Sequence, residues 1–248
     1  QAYDRAGGYT LRTVNGVKIA FVALTKGMDG MALPSGSERC VNLLYTDYST
    51  TYKKVDTEGI RKLMNRVAKE KPDVVSVCVP NCFHKEYVLM ALKYGANVIC
   101  EKPLAFTYKD AREMFDCAER EGKVLMACQS MRFTPDRLAA KRFIDEGGMD
   151  EVYYGEMSRI RRRGIPTWGT FHLKKMSCGG AFVDIGVHML DALIWLMGNP
   201  KIKSVSGVAM QNHKDEIGSL KGSGALSGEV HNIRPFNPNE MDVEDFAC

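Results

Sequence analysis

The chain has 248 residues, 45% hydrophobic and 26% charged, with a formal net charge of +4. That is the composition of a soluble globular protein, enough for one large domain or two ordinary ones. Acids and bases are interspersed, so no broad basic tract argues for nucleic acid. No apolar run reaches the roughly 18 residues a membrane helix needs, and no signal-peptide pattern is visible.

In chain order, YTLRTVNGVKIAFVALT (9–25) predicts a β-hairpin turning at Asn15-Gly16, and KGMDGMALPSGSER (26–39) a loop. In 56–70, Ile60, Leu63, Met64 and Val67 fall at i, i+3, i+4, i+7, the spacing of an amphipathic helix. From residue 73 the pattern alternates. Strands are predicted at 74–80, 97–103 and 124–130, and helices at 84–95, 107–122 and 134–148. Thr107 is the expected N-cap of one helix, and Thr134 with Pro135 opens another. Short apolar strands separated by single helices imply parallel β-α-β units buried on both faces, the second half of a doubly wound sheet. Beyond residue 150, alternating strands are expected at 152–163 and 202–211, an apolar helix at 181–198 and a loop at 212–240. The expected fold is therefore α/β, an incomplete Rossmann-type parallel sheet followed by an α+β domain with a mainly antiparallel sheet that is cut short. The expected divisions are 1–65, an atypical N-terminal segment; 66–133, the remaining half of the Rossmann domain; and 134–248, a partial α+β domain.

Eight cysteines lie at 40, 78, 82, 100, 117, 128, 178 and 248, with neither CxxC nor zinc-finger spacing. Free thiols in a reducing, cytoplasmic setting are expected, and no metal site. Arg159, Arg161, Arg162 and Arg163 either bind an anion or form a solvated strand end.

In open parallel sheets, ligands bind beyond the carboxyl ends of the strands. Three successive predicted ends carry polar groups: Pro80, Asn81 and His84; Glu101, Lys102 and Pro103; Gln129 and Arg132. In GGAFVDIGVHMLD (179–191), Asp184 and His188 are i, i+4 on one helix face, with Asp191 three residues on. Two readings stand for that pair: an acid–base site, or an Asp complementing the helix dipole beside a satisfied core histidine.

From about residue 70 to 248, CVPNCFH (78–84), CEKPLA (100–105), QSMRF (129–133) and GGAFVDIGVHMLD (179–191) resemble the Gfo/Idh/MocA family of NAD(P)-dependent oxidoreductases. The resemblance implies a Rossmann domain holding NAD or NADP and an α+β domain contributing the substrate site. It implies catalytic roles for Lys102, Asp184 and His188, and cofactor contacts for Pro80, Asn81, His84, Glu101, Lys102, Gln129 and Arg132. The implied substrate is a sugar or polyol. Family members also form homo-oligomers through the outer face of the C-terminal sheet. The chemistry fits: a histidine is a natural base for an alcohol proton, Lys102 can polarise the oxygen, and Asp184 can orient its neighbours.

The sequence departs from that family at its start. No G-x-G-x-x-G follows the first strand, and GMDGM (27–31) lacks the spacing. Instead GGYTLRTVNGVKIAFVALTKGMDG and NLLYTDYSTTYKKVDTEGI resemble part of the CapA/PgsA capsule and polyglutamate biosynthesis family, whose fold is that of calcineurin-like metallophosphoesterases. Its metal-ligand motifs are absent, since no histidine precedes residue 84. The expectation is a composite chain joined near 59–75, with an impaired oxidoreductase as its larger part. The competing expectation is a non-catalytic binding or regulatory relative.

Overall fold

The computed structural model describes residues 8–23, 56–161, 165, 171–214 and 237–248. The predicted loop at 26–39 lies outside these residues, as do Arg162, Arg163 and most of 212–240.

The N-terminal hairpin forms as its sequence dictates. β1 (Thr10–Val14) pairs antiparallel with β2 (Val17–Ala23). Asn15 and Gly16 take φ of 51° and 82°, the two positive values a type I′ turn requires. β2 then pairs parallel with β3 (Val74–Cys78), so the hairpin extends the main sheet. α1 (Thr57–Lys69) connects them, capped by Asp56, whose carboxylate accepts from the Gly59 N–H at 2.9 Å. Ile60, Leu63, Met64 and Val67 are its buried stripe.

Three further elements repeat the rhythm: α2 (His84–Lys93), β4 (Asn97–Glu101) and α3 (Tyr108–Arg120), before β5 (Leu125–Cys128). Thr107 caps α3 through its hydroxyl, accepting from Asp110 N–H at 3.1 Å. The sheet order is β1-β2-β3-β4-β5, with β2 to β5 parallel. Crossovers between parallel neighbours are right-handed as a rule, which puts the helices of successive neighbours on one face. One core accordingly joins Val75, Val77, Val98 and Cys100 of the strands to Leu63, Val88, Leu92 and Met114 of the helices.

This one-sidedness corrects the expectation of strands buried on both faces. Burial alternates along β3 and β4, and on β2 and β5 Phe21 is 48% and Met126 45% exposed. Apolar residues on both sides of a strand do not show whether helices cover both. Nor does the strand order reverse anywhere in the described sheet.

The second half differs more from expectation. α4 (Pro135–Asp145) opens at Thr134 and Pro135 as expected, although the Thr134 hydroxyl donates to Met131 O at 3.2 Å and makes no side-chain cap bond. No strand is assigned at 151–161, although 152–163 alternates in sequence, because its backbone has no ladder partner among the described residues. The segment crosses a helix instead, and a Cβ added at Gly155 would stand 2.6 Å from Leu193. Of 202–211, only β6 (Ala209–Met210) is strand, paired antiparallel with β7 (Phe246–Ala247). α5 (Lys174–Ser177) precedes a π-helical turn at Phe182–Gly186, and α6 (Val187–Leu196) follows. By length and composition, Lys174–Leu196 matches a membrane-spanning helix, with 22% of its apolar window buried. Its two acids, however, are bound to cations of the sheet half.

The one-sided core yields a contrast between two methionines. Met114, fully buried on α3, should cost roughly 2–5 kcal/mol when changed to Ala. Met126→Ala on the open face, 45% exposed, should cost under about 1 kcal/mol. Urea unfolding midpoints compare the two, and equal losses would mean the open face is buried.

Candidate active site

Each parallel strand delivers side chains to one edge, and the helix at 182–196 lies across that edge. β4 ends in Glu101, and the next residue, Lys102, is joined to Pro103 by a cis peptide. The Lys102 ammonium donates to the Asp184 carbonyl at 2.8 Å and to Asp184 Oδ1 at 3.0 Å. Glu101 stays on its own side of the turn, its carboxylate accepting from Lys102 N–H at 3.3 Å.

Asp184 sits inside the π turn and His188 one turn later. Burial holds the His188 imidazole below the ordinary histidine pKa. The Lys102 charge acts in the same direction, while Asp184 and Glu101 partly oppose it. His188 Nδ1 is buried without a hydrogen-bond partner among the described residues, so this histidine is not a satisfied core residue. Gln129, just past β5, likewise has a buried and unpartnered Oε1.

The other predicted residues are committed to the protein itself. Arg132 makes a two-pronged ion pair with Asp191 of α6, Nε to Oδ2 at 2.7 Å and Nη2 to Oδ1 at 2.6 Å. Asn81 donates to Ser177 O at 2.8 Å, tying the exit of β3 to α5. Pro80 precedes the short turn at Asn81–Phe83. His84 is fully buried. Its Nδ1 lies 2.8 Å from Pro103 O and its Nε2 2.9 Å from Val79 O. Burial pushes its pKa down against those two carbonyls. Of the arginine run, Arg159 and Arg161 are solvent-exposed. The seven described cysteines are free, and no group of metal-ligating side chains occurs among the described residues.

Two acids near the C-terminus support the site helix, and sequence reasoning missed both. Glu244 accepts the Ala181 N–H on its carbonyl at 3.0 Å and the Phe182 N–H on its carboxylate at 3.1 Å. Asp242 accepts the Lys174 N–H at 2.6 Å. These bonds satisfy N–H groups that a helix start leaves open. The double glycine makes the approach possible, since a Cβ on Gly180 would stand 1.8 Å from the Glu244 carbonyl oxygen. Nothing local in 242–244 points to a helix 60 residues earlier; only the glycines hinted at a close approach.

Comparison with known proteins follows the same division. The family described as "Oxidoreductase family, NAD-binding Rossmann fold" matches residues 37–129, and the GFO/IDH/MocA C-terminal domain matches 138–247. Residues 37–65, read from sequence as part of a foreign segment, thus fall within the oxidoreductase match. D-glucoside 3-dehydrogenase of Escherichia coli K12 is 43% identical over 175 residues, covering 71% of this chain and 47% of that protein. The chain spans under half the length of such curated relatives. An NAD-binding protein from Listeria innocua superposes with a TM-score of 0.51 at 31% identity, covering 71% of this chain and 47% of that one. Levoglucosan dehydrogenase, solved with NADH and levoglucosan, shares the fold with a TM-score of 0.52 at 22% identity, covering 84% and 48%.

Two outcomes are expected. Gly180→Ala should cost about 1–3 kcal/mol by overpacking, read as a lower denaturant midpoint, because the obstacle is backbone; an unchanged midpoint would break the Glu244 contact. Stability should also fall on acidification. His84 and His188 have folded pKa values below their unfolded ones, in each case chiefly because of desolvation. Below about pH 6.5 the unfolded chain therefore binds protons first and is favoured. His188→Gln should flatten part of that slope between pH 7.5 and 5.5, measured by urea titration.

Proposed function

Because this chain belongs to the Gfo/Idh/MocA oxidoreductase family, we propose that it serves hydride exchange between NAD(P) and a hydroxyl-bearing carbon of a sugar or polyol. The observation that carries the reading is the double contact of Lys102 with Asp184 beside His188, whose buried Nδ1 has no hydrogen-bond partner among the described residues. An ammonium has three N–H donors. Two are spent on Asp184, and the third can meet a substrate oxygen. His188, held neutral by burial and by the Lys102 charge, takes the hydroxyl proton as general base. Asp184 fixes the lysine. The 43% identity to a D-glucoside 3-dehydrogenase supports a sugar hydroxyl as the reacting group.

The nicotinamide, when bound, supplies the hydride acceptor. Gln129, whose buried Oε1 has no partner among the described residues, and Glu101 with Lys102 at the end of β4 suit the nicotinamide end of the cofactor. The pyrophosphate end is served less well, because the sequence carries no G-x-G-x-x-G to present backbone N–H groups. We therefore propose weakened cofactor binding. That same feature favours the second reading, a relative that keeps the fold and binds without turning over.

Titration with NADH, followed by its fluorescence, tests the impairment. Loss of two charge-assisted hydrogen bonds at roughly 1.5–3 kcal/mol each weakens affinity at least about a hundredfold, at about 1.4 kcal/mol per factor of ten. Micromolar binding would overturn the impairment. Where NADH formation from glucosides or polyols is measurable, His188→Asn should slow it by about 10²–10⁴-fold, and an unchanged rate would remove His188 from the chemistry.

A further inference from the structure

We propose that Arg132 and Asp191 act as a positioning pair that sets the rotation of α6 and so aims His188 at the strand ends. This deepens the reading above, since it concerns the residue assigned there as base. His188 and Asp191 stand at i and i+3 in α6, about 60° apart around the helix, and Asp184 precedes His188 by four residues in the π turn. The acids at both ends of this stripe are held by cations from successive strand exits. Lys102, after β4, holds Asp184, and Arg132, after β5, holds Asp191. His188 lies between the two clamps.

The second clamp is rigid by construction. Both carboxylate oxygens of Asp191 accept from the planar guanidinium, a geometry a lysine cannot reproduce. The Asp191 side chain is only 15% exposed. The same guanidinium lies 5.7 Å from the centroid of the Trp195 ring, one helical turn further on. Arg132 therefore grips α6 at two successive turns, and its fork is committed to Asp191. A rotation of α6 would break the pair and carry His188 away from Lys102. The charged groups facing His188 are Lys102 and Glu101 from the β4 exit, Asp184 from its own helix and Arg137 from α4. Arg137 is itself held, donating to Met131 O at 3.1 Å.

The experiment follows the imidazole of His188 by NMR in the full chain with labelled histidine, its signal assigned from His188→Gln. Arg132→Lys, Asp191→Asn and the double variant are titrated alongside the wild type. His188 should titrate at higher pH in both single variants, as the ring gains water. The double variant should shift no further than either single one, because the two residues act as one unit. His84, buried between Val79 and Pro103, should not move. Asp191→Glu keeps the charge with a longer arm; it should give a smaller shift in the same direction and serves if Asp191→Asn does not fold. An unchanged His188 titration with only a lower melting temperature would overturn the proposal, as would equal movement of His84. NADH titration adds an independent check. A loss of affinity in Arg132→Lys but not in Asp191→Asn would make Arg132 a cofactor ligand and overturn the pairing. Should NADH binding be too weak to follow, the His188 titration still decides the pairing, and the oxidoreductase reading falls separately if His188→Asn leaves NADH formation unchanged.

Discussion

The contact between Lys102 and Asp184 is the joint on which the rest of the site depends. The described hydrophobic core belongs to the sheet and α1–α3, with Met176 the one side chain of the second half packed against it. Met241 and Val243 form a separate small cluster with Ile165. Apolar burial therefore does little to set how the two halves meet. Polar contacts take over: Lys102 to Asp184, Arg132 to Asp191 and Asn81 to Ser177. Hydrophobic contact is non-directional, whereas these bonds have narrow distance and angle requirements. A joint built from them specifies an orientation, and orientation is what a proton-transfer site needs.

What the sequence made legible follows from which forces act locally. The elements from residue 56 to 145 were readable because periodicity, caps and turn glycines agree there. Asn15-Gly16, the stripe Ile60–Leu63–Met64–Val67 and the Thr107 cap each appear as expected. The candidate site was legible as a set of strand ends and one helix face. Its internal wiring was not. Arg132 and His84 stood with the cofactor contacts, yet each is bonded within the protein. Sequence shows that a polar group stands at an edge; it does not show which partner reaches it first.

The misread strands have a related cause. Alternation at 152–163 and 202–211 is a real pattern, but a strand exists only when another backbone pairs with it. In 151–161 the backbone instead passes close to α6 at Gly155, against Leu193. The double glycine at 179–180 is likewise explained only by the folded chain. Its use is to admit Glu244, whose carbonyl and carboxylate take up the opening N–H groups of the helix. Residues 242–244 thus belong to the site's foundation although they touch no reacting group.

The π turn at Phe182–Gly186 gives the site its last constraint. In a regular α-helix each carbonyl is aligned with the N–H four residues on, and its oxygen points along the axis. A π turn widens the coil and disturbs that alignment, and such turns occur often at functional positions. Here the Asp184 carbonyl accepts from Lys102 in addition to the carboxylate of the same residue. One residue therefore offers two oxygens to one ammonium, about 0.2 Å apart in bond length. A lysine with a single partner can swing about it; one with two cannot. The widened turn converts a flexible four-carbon side chain into a fixed donor, and His188 inherits its register from the same stretch of helix.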